Sequence, residues 1–130
     1  MKNITIKVNV ELDNKILLNV ITSAVEQGST YWLDTSSPKM LDVLSRADGD
    51  TLAETMFNAL MDDIDIPLQN INGDKFHMKL SSRGLNYRLQ LLYNSEAHRW
   101  AIVNEMKDEG DLTSSDIVFQ YMCFGEIIYS

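Results

Sequence analysis

Four polar side chains that could perform chemistry lie in the C-terminal segment of the chain, which is otherwise apolar: Asp111, Asp116, Gln120 and Glu126. Two carboxylates near the start of a helix could hold a metal ion or transfer protons. A glutamine amide among apolar neighbours could recognise another amide or the edge of a base. Residues 116 and 120 are four apart, so a helix would project both side chains from one face, towards internal hydrogen bonds or a ligand.

The same residues have a structural interpretation, which we favour. Asp111 and Asp116 are typical of helix N-termini, where a carboxylate caps free amides and complements the helix dipole. Gln120 would then pair with backbone groups inside the core. No histidine or cysteine lies at metal-ligand spacing from these carboxylates, so we predict neither a metal site nor a cofactor.

Two adjacent aromatic residues, Tyr31 and Trp32, follow a Gly-Ser-Thr sequence. An aromatic face at the edge of a loop suits stacking on a planar ligand such as a nucleobase. Neighbours in a strand point to opposite faces, so one ring could be buried while the other lines a cleft. We favour the core for Trp32 and leave core and cleft equally open for Tyr31.

Other candidate residues give weaker signals. Arg88 and Arg99 could bind a phosphate or a carboxylate bidentately, although pairing with the surplus acids is the commoner outcome. His77 and His98 have no evident nucleophile partner. The chain has no glycine-rich phosphate loop, no nucleophile elbow and no cysteine–histidine arrangement, so we predict no catalytic residue.

The charge of the chain restricts its partners. Eleven basic residues face nineteen acidic ones, and the formal net charge is −8. Because a nucleic acid would be repelled, we expect no direct nucleic-acid binding. The acidity could instead imitate a phosphate backbone and block a nucleic-acid-binding protein, but a solvated surface that keeps the protein soluble is the commoner explanation.

Composition and length indicate one globular domain. The 130 residues are 45% hydrophobic and 23% charged, which is ordinary for a protein with its own core. A single cysteine excludes an intramolecular disulfide. The N-terminus alternates and lacks the apolar core of a signal peptide, and no apolar run approaches membrane-spanning length, so we expect a cytoplasmic protein without membrane association.

Hydrophobic periodicity predicts an α+β domain. Alternation predicts strands over residues 2–12 and 75–80, and a short aromatic segment favours another over residues 29–34. Helical spacing predicts helices over residues 15–27, after a capping box at Thr51, after Ser81 or Ser82, from Ser95, and from Thr113 or Ser114, whereas residues 39–46 could form a helical turn.

We therefore expect a small, mostly antiparallel sheet packed on one face by several helices, in a single domain over residues 1–130. Residues 35–73 contain acidic residues and uncertain elements. We interpret that region as an insertion into the compact core.

Two segments of the chain resemble a family of small phage- and prophage-encoded proteins of uncharacterised function. They are the Gly-Ser-Thr-Tyr-Trp sequence at residues 28–32 and the C-terminal segment that contains Asp111, Asp116, Gln120 and a Phe-Gly-Glu-Ile-Ile-Tyr sequence at residues 124–129. Family members often have a second glycine where this chain has Gln27, and glycine where it has Ser130. Residues 35–73 show no such resemblance.

The resemblance implies a viral or mobile-element accessory protein. Such proteins commonly act against host defences, either by sequestering a nucleotide signal or by plugging a host protein. It implies no particular reaction.

Three functions remain open from the sequence. The preferred one is a non-catalytic protein, in the cytoplasm of the host cell if phage-encoded, that captures a small polar or nucleotide-like ligand beside Tyr31, Trp32 and the face of residues 116 and 120. The second is an inhibitor that binds a host protein through an acidic face formed by residues such as Asp48, Asp50, Asp62, Asp63 and Asp65. The third is a metal-dependent hydrolase that uses Asp111, Asp116 or Glu126. A homo-oligomer is compatible with the first.

Overall fold

A computed structural model describes residues 11–74 and 78–130. Within these ranges the chain forms six α-helices, one π-helical turn and a two-stranded antiparallel sheet. In chain order the elements are α1 Asn14–Ser23, the π-helical turn Ala24–Gly28, α2 Pro38–Leu44, α3 Leu52–Met61, β1 Ile66–Pro67, β2 Lys79–Leu80, α4 Leu85–Asn94, α5 Arg99–Met106 and α6 Leu112–Phe124. The described residues thus form a mostly helical α+β fold.

Helix α6 is the central element, because it packs against α1, α4, α5 and the π-helical turn. All residues from Ser114 to Cys123 except Ile117 are buried, as expected of a helix that is apolar on nearly every side. Asp111 and Ser114 form a capping box at its start. The predicted caps, Thr113 and Ser114, were therefore placed two or three residues late.

The end of α6 turns the chain back along the helix. Gly125 follows the last helical residue with φ 74°, the left-handed conformation that glycine adopts without a steric penalty. Residues 126–130, which we call the C-terminal tail, have no regular structure. The apolar run at the end of the sequence therefore consists of a helix and a separate returning segment.

Helix α1 and the π-helical turn pack closely on the start of α6. Asp13 caps α1 through a hydrogen bond from the Lys15 amide. A Cβ atom on Gly28 would lie 2.7 Å from the backbone oxygen of Leu112, so only glycine allows the two elements to approach this closely. The sequence predicted a helix that ends at this glycine, and the structure confirms that end.

The sheet pairs Ile66 with Leu80 and Pro67 with Lys79. The predicted strand at residues 75–80 is confirmed for residues 79–80, whereas residues 75–77 lie outside the described ranges. Most of the strand predicted over residues 2–12 also lies outside the described ranges. Residues 11–13 have no regular structure. The helical covering of one sheet face stays a prediction.

Residues 29–34 form a turn and not the predicted strand. The Ser29 carbonyl accepts from the amides of Trp32 and Leu33, which bends the backbone as in a helical turn. Only Leu33 makes a strand-like bridge, to Asn70. Local hydrogen bonding has here overridden the β propensity of the aromatic residues.

Residues 35–73 supply buried side chains to the same core as the rest of the domain. Met40, Met56, Leu60 and Ile66 are fully buried. That the region is an insertion stays a prediction. Among the described helices, none has both the length and the apolarity that crossing a membrane requires.

Candidate functional site

The carboxylate of Asp116 is the centre of a buried polar cluster. Its Oδ1 atom accepts from Ser29 Oγ and Trp32 Nε1, each at 2.8 Å. Its Oδ2 atom accepts from the Tyr31 hydroxyl at 2.6 Å and from Gln120 Nε2 at 3.1 Å. Asp116 is only 8% exposed, so its carboxylate has lost most of its hydrating water. The four donors compensate for that loss.

The turn at residues 29–32 explains why three of these donors reach one carboxylate. In a strand, Tyr31 and Trp32 would point to opposite faces. In the observed turn both contact Asp116, yet their environments differ. Trp32 is 2% exposed and lies in the core, as we favoured, whereas Tyr31 is 45% exposed.

Gln120 binds the backbone of the C-terminal tail. Its Oε1 atom accepts from the amides of Ile128 and Tyr129, each at 2.9 Å, and its Nε2 atom lies 3.0 Å from the Tyr129 carbonyl oxygen. Gln120 is completely buried. The amide therefore recognises another amide, as the sequence indicated, and that amide belongs to the chain itself.

The ring of Tyr129 covers Trp32. The two rings are parallel within 4° and their centroids are 4.8 Å apart. Asn70 Nδ2 donates to the Tyr129 hydroxyl at 3.2 Å. The ring of Phe124 lies 6.2 Å away at a tilt of 59°. The tail is thus held by its backbone and by one aromatic side chain.

A cleft of about 540 Å³ adjoins this cluster. Its walls are mostly apolar, and its lining residues are Gln27, Gly28, Tyr31, His98, Leu112, Thr113, Asp116, Ile117, Gln120, Ile127, Tyr129 and Ser130. The cleft lies between the π-helical turn, the start of α6 and the C-terminal tail. Of the residues predicted to border a ligand site, Tyr31, Asp116 and Gln120 line this cleft, whereas Trp32 does not.

Tyr31 places a half-exposed phenol at the edge of the cleft. Burial of its hydroxyl, the hydrogen bond to Asp116 and the negative charge of that carboxylate raise the pKa of Tyr31 well above its ordinary value of 10. The phenol therefore remains a neutral donor at neutral pH. Because it has a single proton and Asp116 is its nearest acceptor, that proton is directed at the Asp116 carboxylate.

His98 is a cleft residue that the sequence did not connect with the others. Its Nδ1 atom lies 2.9 Å from the hydroxyl of Tyr121, a residue of α6. A contact between the start of α5 and the middle of α6 depends on tertiary packing, so the sequence spacing contained no signal for it.

The structure brings together four of the six predicted binding residues: Tyr31, Trp32, Asp116 and Gln120. Arg88 and Arg99 do not line the cleft. Arg88 donates to the backbone oxygens of Met122, Ser81 and Arg83 at 2.7, 2.7 and 2.8 Å.

Arg99 likewise serves a local contact. It donates to the Tyr93 carbonyl and lies over the Tyr93 ring, 5.5 Å from its centroid. Ligand binding by either arginine has no support from these contacts.

The acidic residues do not gather into a metal centre. Within residues 11–74 and 78–130, no group of three or more histidine, cysteine, aspartate or glutamate side chains could hold a metal ion. Asp111 accepts from the Ser114 amide as a helix cap, and the four donors of the buried cluster engage Asp116. Nothing in this geometry supports the hydrolase hypothesis.

The acidic residues proposed for protein binding lie at the two ends of α3. Asp48 and Asp50 precede the helix, whereas Asp62, Asp63 and Asp65 follow it, and ten helical residues span about 15 Å. The Asp65 carboxylate lies 3.7 Å from the Lys79 amine and 3.6 Å from the Arg83 guanidinium. The face is therefore divided and partly neutralised.

No family model, no curated protein and no solved structure matches this chain significantly.

Proposed function

We propose that the protein is a non-catalytic binding protein, of the phage- or prophage-encoded accessory type that its terminal motifs resemble, and that it holds a small planar ligand such as a nucleobase in the cleft beside Tyr31. The observation that carries this proposal is the cleft itself. Its volume of about 540 Å³ lies within the usual range for small-molecule sites, and mostly apolar walls with a few polar groups are typical of them.

The lining chemistry favours the base over the phosphates of a nucleotide. The side chains of Leu112, Ile117 and Ile127 offer apolar surface, and the half-exposed ring of Tyr31 offers a face for stacking. Among the described residues that line the cleft there is no lysine or arginine, and His98 is the one basic side chain. A phosphorylated ligand would therefore place its phosphates towards solvent.

The state of the polar groups supports binding without catalysis. A general base needs a carboxylate oxygen within reach of the substrate's proton. Both oxygens of Asp116 already accept two hydrogen bonds from the protein, and the Gln120 amide is occupied by the C-terminal tail. These groups stabilise the cleft wall.

The proposal is tested with the full-length protein and a panel of bases, nucleosides and nucleotides, by native mass spectrometry and thermal shift. Tyr31→Ala should weaken binding about fivefold or more, because one base–aromatic stack contributes about 1 kcal/mol or more. Thr113→Trp, which places an indole in the cleft, should abolish it.

The matched control is Tyr87→Ala, because Tyr87 is 68% exposed on α4 and does not line the cleft. It should leave binding unchanged. The proposal fails if the wild-type protein retains no member of the panel and shows no thermal shift, or if Thr113→Trp binds normally.

A second function, inhibition of a basic host protein, is favoured by the unbalanced surface charge. The net charge is −8, and among the described residues only Asp42 and Asp65 take part in ion pairs. Such a surface would attract a basic partner over a long range. The affinity for a basic partner should fall steeply as the salt concentration rises, and also after replacement of Asp48, Asp50 and Asp62 by asparagine. Binding that survives both changes excludes this mechanism.

A further inference from the structure

The C-terminal tail lies in a site that has the properties of a peptide-binding site. Gln120 engages both kinds of backbone group on the tail, because its Oε1 atom accepts from two successive amides and its Nε2 atom lies within hydrogen-bond distance of a carbonyl oxygen. A strand partner would offer an extended peptide the same combination. The glutamine is completely buried, so its position does not depend on solvent.

Side-chain recognition in this site is directed at a tyrosine. The indole of Trp32 provides a flat surface parallel to the Tyr129 ring, and its own position is fixed by the hydrogen bond from Nε1 to Asp116. Asn70 donates to the hydroxyl at the far end of the ring. Since Asn70 Oδ1 is held by the amides of Asn72 and Asp74, this donor is also fixed in place.

The tail is the part of α6 and its extension that can leave most easily. Glu126, Ile128 and Ser130 are exposed, and Ile127 and Tyr129 are only half-buried. The tail has no regular secondary structure and follows Gly125, whose left-handed conformation ends the helix. A terminal segment outside regular secondary structure can open locally, at less than the free energy of global unfolding, even when specific contacts such as those to Gln120 and Trp32 hold it.

We propose that this site also binds an extended peptide segment with a tyrosine from another protein, in competition with the C-terminal tail. The present occupant defines the class of ligand. The peptide must offer two consecutive backbone amides and a carbonyl oxygen to Gln120, and a phenol that stacks on Trp32 and accepts a hydrogen bond from Asn70. This site shares Gln120 with the cleft lining, and its present occupant, the tail, forms one cleft wall, whereas Trp32 and Asn70 do not line the cleft. The proposal does not depend on a ligand in that cleft.

The test uses a full-length variant, Ile128→Pro with Tyr129→Ala, in which the tail loses one amide donor and its ring. The probe is a synthetic peptide with the sequence of residues 125–130, and the readout is the indole N–H signal of Trp32 in NMR spectra, assigned with Trp100→Phe. The peptide should shift this signal and show contacts between its tyrosine ring and the Trp32 ring. Circular dichroism verifies that the variant is folded.

The wild-type protein is the competition control. Its tethered tail has an effective concentration on the order of millimolar, so the peptide should bind it at least about tenfold more weakly than it binds the variant. A peptide with alanine in place of tyrosine should not bind, and one with phenylalanine should bind more weakly. The proposal is overturned if the folded variant shows no shift of the indole signal, or if the alanine peptide binds equally well.

Discussion

Two polar groups stabilise α6 through different kinds of hydrogen bond: the carboxylate of Asp116 and the guanidinium of Arg88. The Asp116 carboxylate accepts from side chains that are distant in sequence, such as Ser29 at a separation of 87 residues. The Arg88 guanidinium donates to backbone oxygens, two of which are only five and seven residues away. The first centre joins the turn at residues 29–32 to α6, whereas the second mainly stabilises a local turn and the end of α6.

The positions of the two centres indicate which of the two polar residues can affect ligand binding. Asp116 borders the cleft and supports the site of the C-terminal tail through Trp32 and Gln120. Arg88 borders neither. Changes at Asp116 should therefore alter stability and binding together, while changes at Arg88 should alter stability alone.

The largest effect is expected for Asp116→Ala. The substitution leaves the Trp32 indole N–H and the Ser29 hydroxyl buried without an acceptor, which should lower the free energy of unfolding by about 4 kcal/mol. Urea unfolding measures the loss. Glu126→Ala, an exposed change in the tail, should stay within about 0.5 kcal/mol of wild type. Equal stability of the two variants would show that the cluster does not hold the turn at residues 29–32 against α6.

Arg88→Met should have an intermediate effect, of about 2 to 3 kcal/mol. Methionine keeps much of the apolar stem but removes the donors to three backbone oxygens, of which Met122 O belongs to the buried part of α6. The exposed change Arg46→Met is the control, since Arg46 makes only a surface ion pair. Contacts of the tail with Trp32, observed by NMR, should not change. A released tail would contradict the separation of the two centres.

A smaller effect is expected for Tyr129→Phe. The ring and its stacking on Trp32 are kept, and the hydroxyl loses the hydrogen bond from Asn70 and its weak hydrogen bond to Met78 Sδ, so the free energy of unfolding should fall by about 0.5 to 1 kcal/mol. Tyr129→Ala should cost more, because it also removes the stacked ring. If the two variants are equally stable, the ring does not hold the tail.

For the Asp116 centre, the sequence pattern predicted the arrangement of the two α6 residues, Asp116 and Gln120, but not the hydrogen bonds from residues 29–32. The spacing of Asp116 and Gln120 predicted one helical face, and the structure confirms it because helical periodicity is local. The burial of Trp32 was also favoured in advance. The sequence placed Tyr31 and Trp32 beside this face, but it could not show that they and Ser29 donate to Asp116, since those hydrogen bonds require the turn at residues 29–32 to pack against α6.

The end of α6 shows a second limit of sequence patterns. Ile127, Ile128 and Tyr129 continue the apolar run of the helix, although Gly125 has already ended it. Whether a glycine ends a helix or is tolerated inside it depends on what the following residues contact. Here they contact Gln120 and Trp32, a tertiary arrangement that periodicity does not encode. Strand β1 was missed for the same reason, because its two residues are defined by pairing with β2.

A further predicted effect concerns the Tyr31 hydroxyl, and it appears only in alkaline solution. Because the pKa of Tyr31 is raised in the folded protein, its protonated form contributes stability that is complete below the unfolded value near 10 and is lost as pH rises towards the folded value. Tyr31→Phe has no proton to lose. The difference in free energy of unfolding between wild type and Tyr31→Phe, measured with urea, should therefore narrow between neutral pH and about pH 11. A constant difference across that range would mean that the hydroxyl is not coupled to Asp116, and that Tyr31 belongs to the cleft alone.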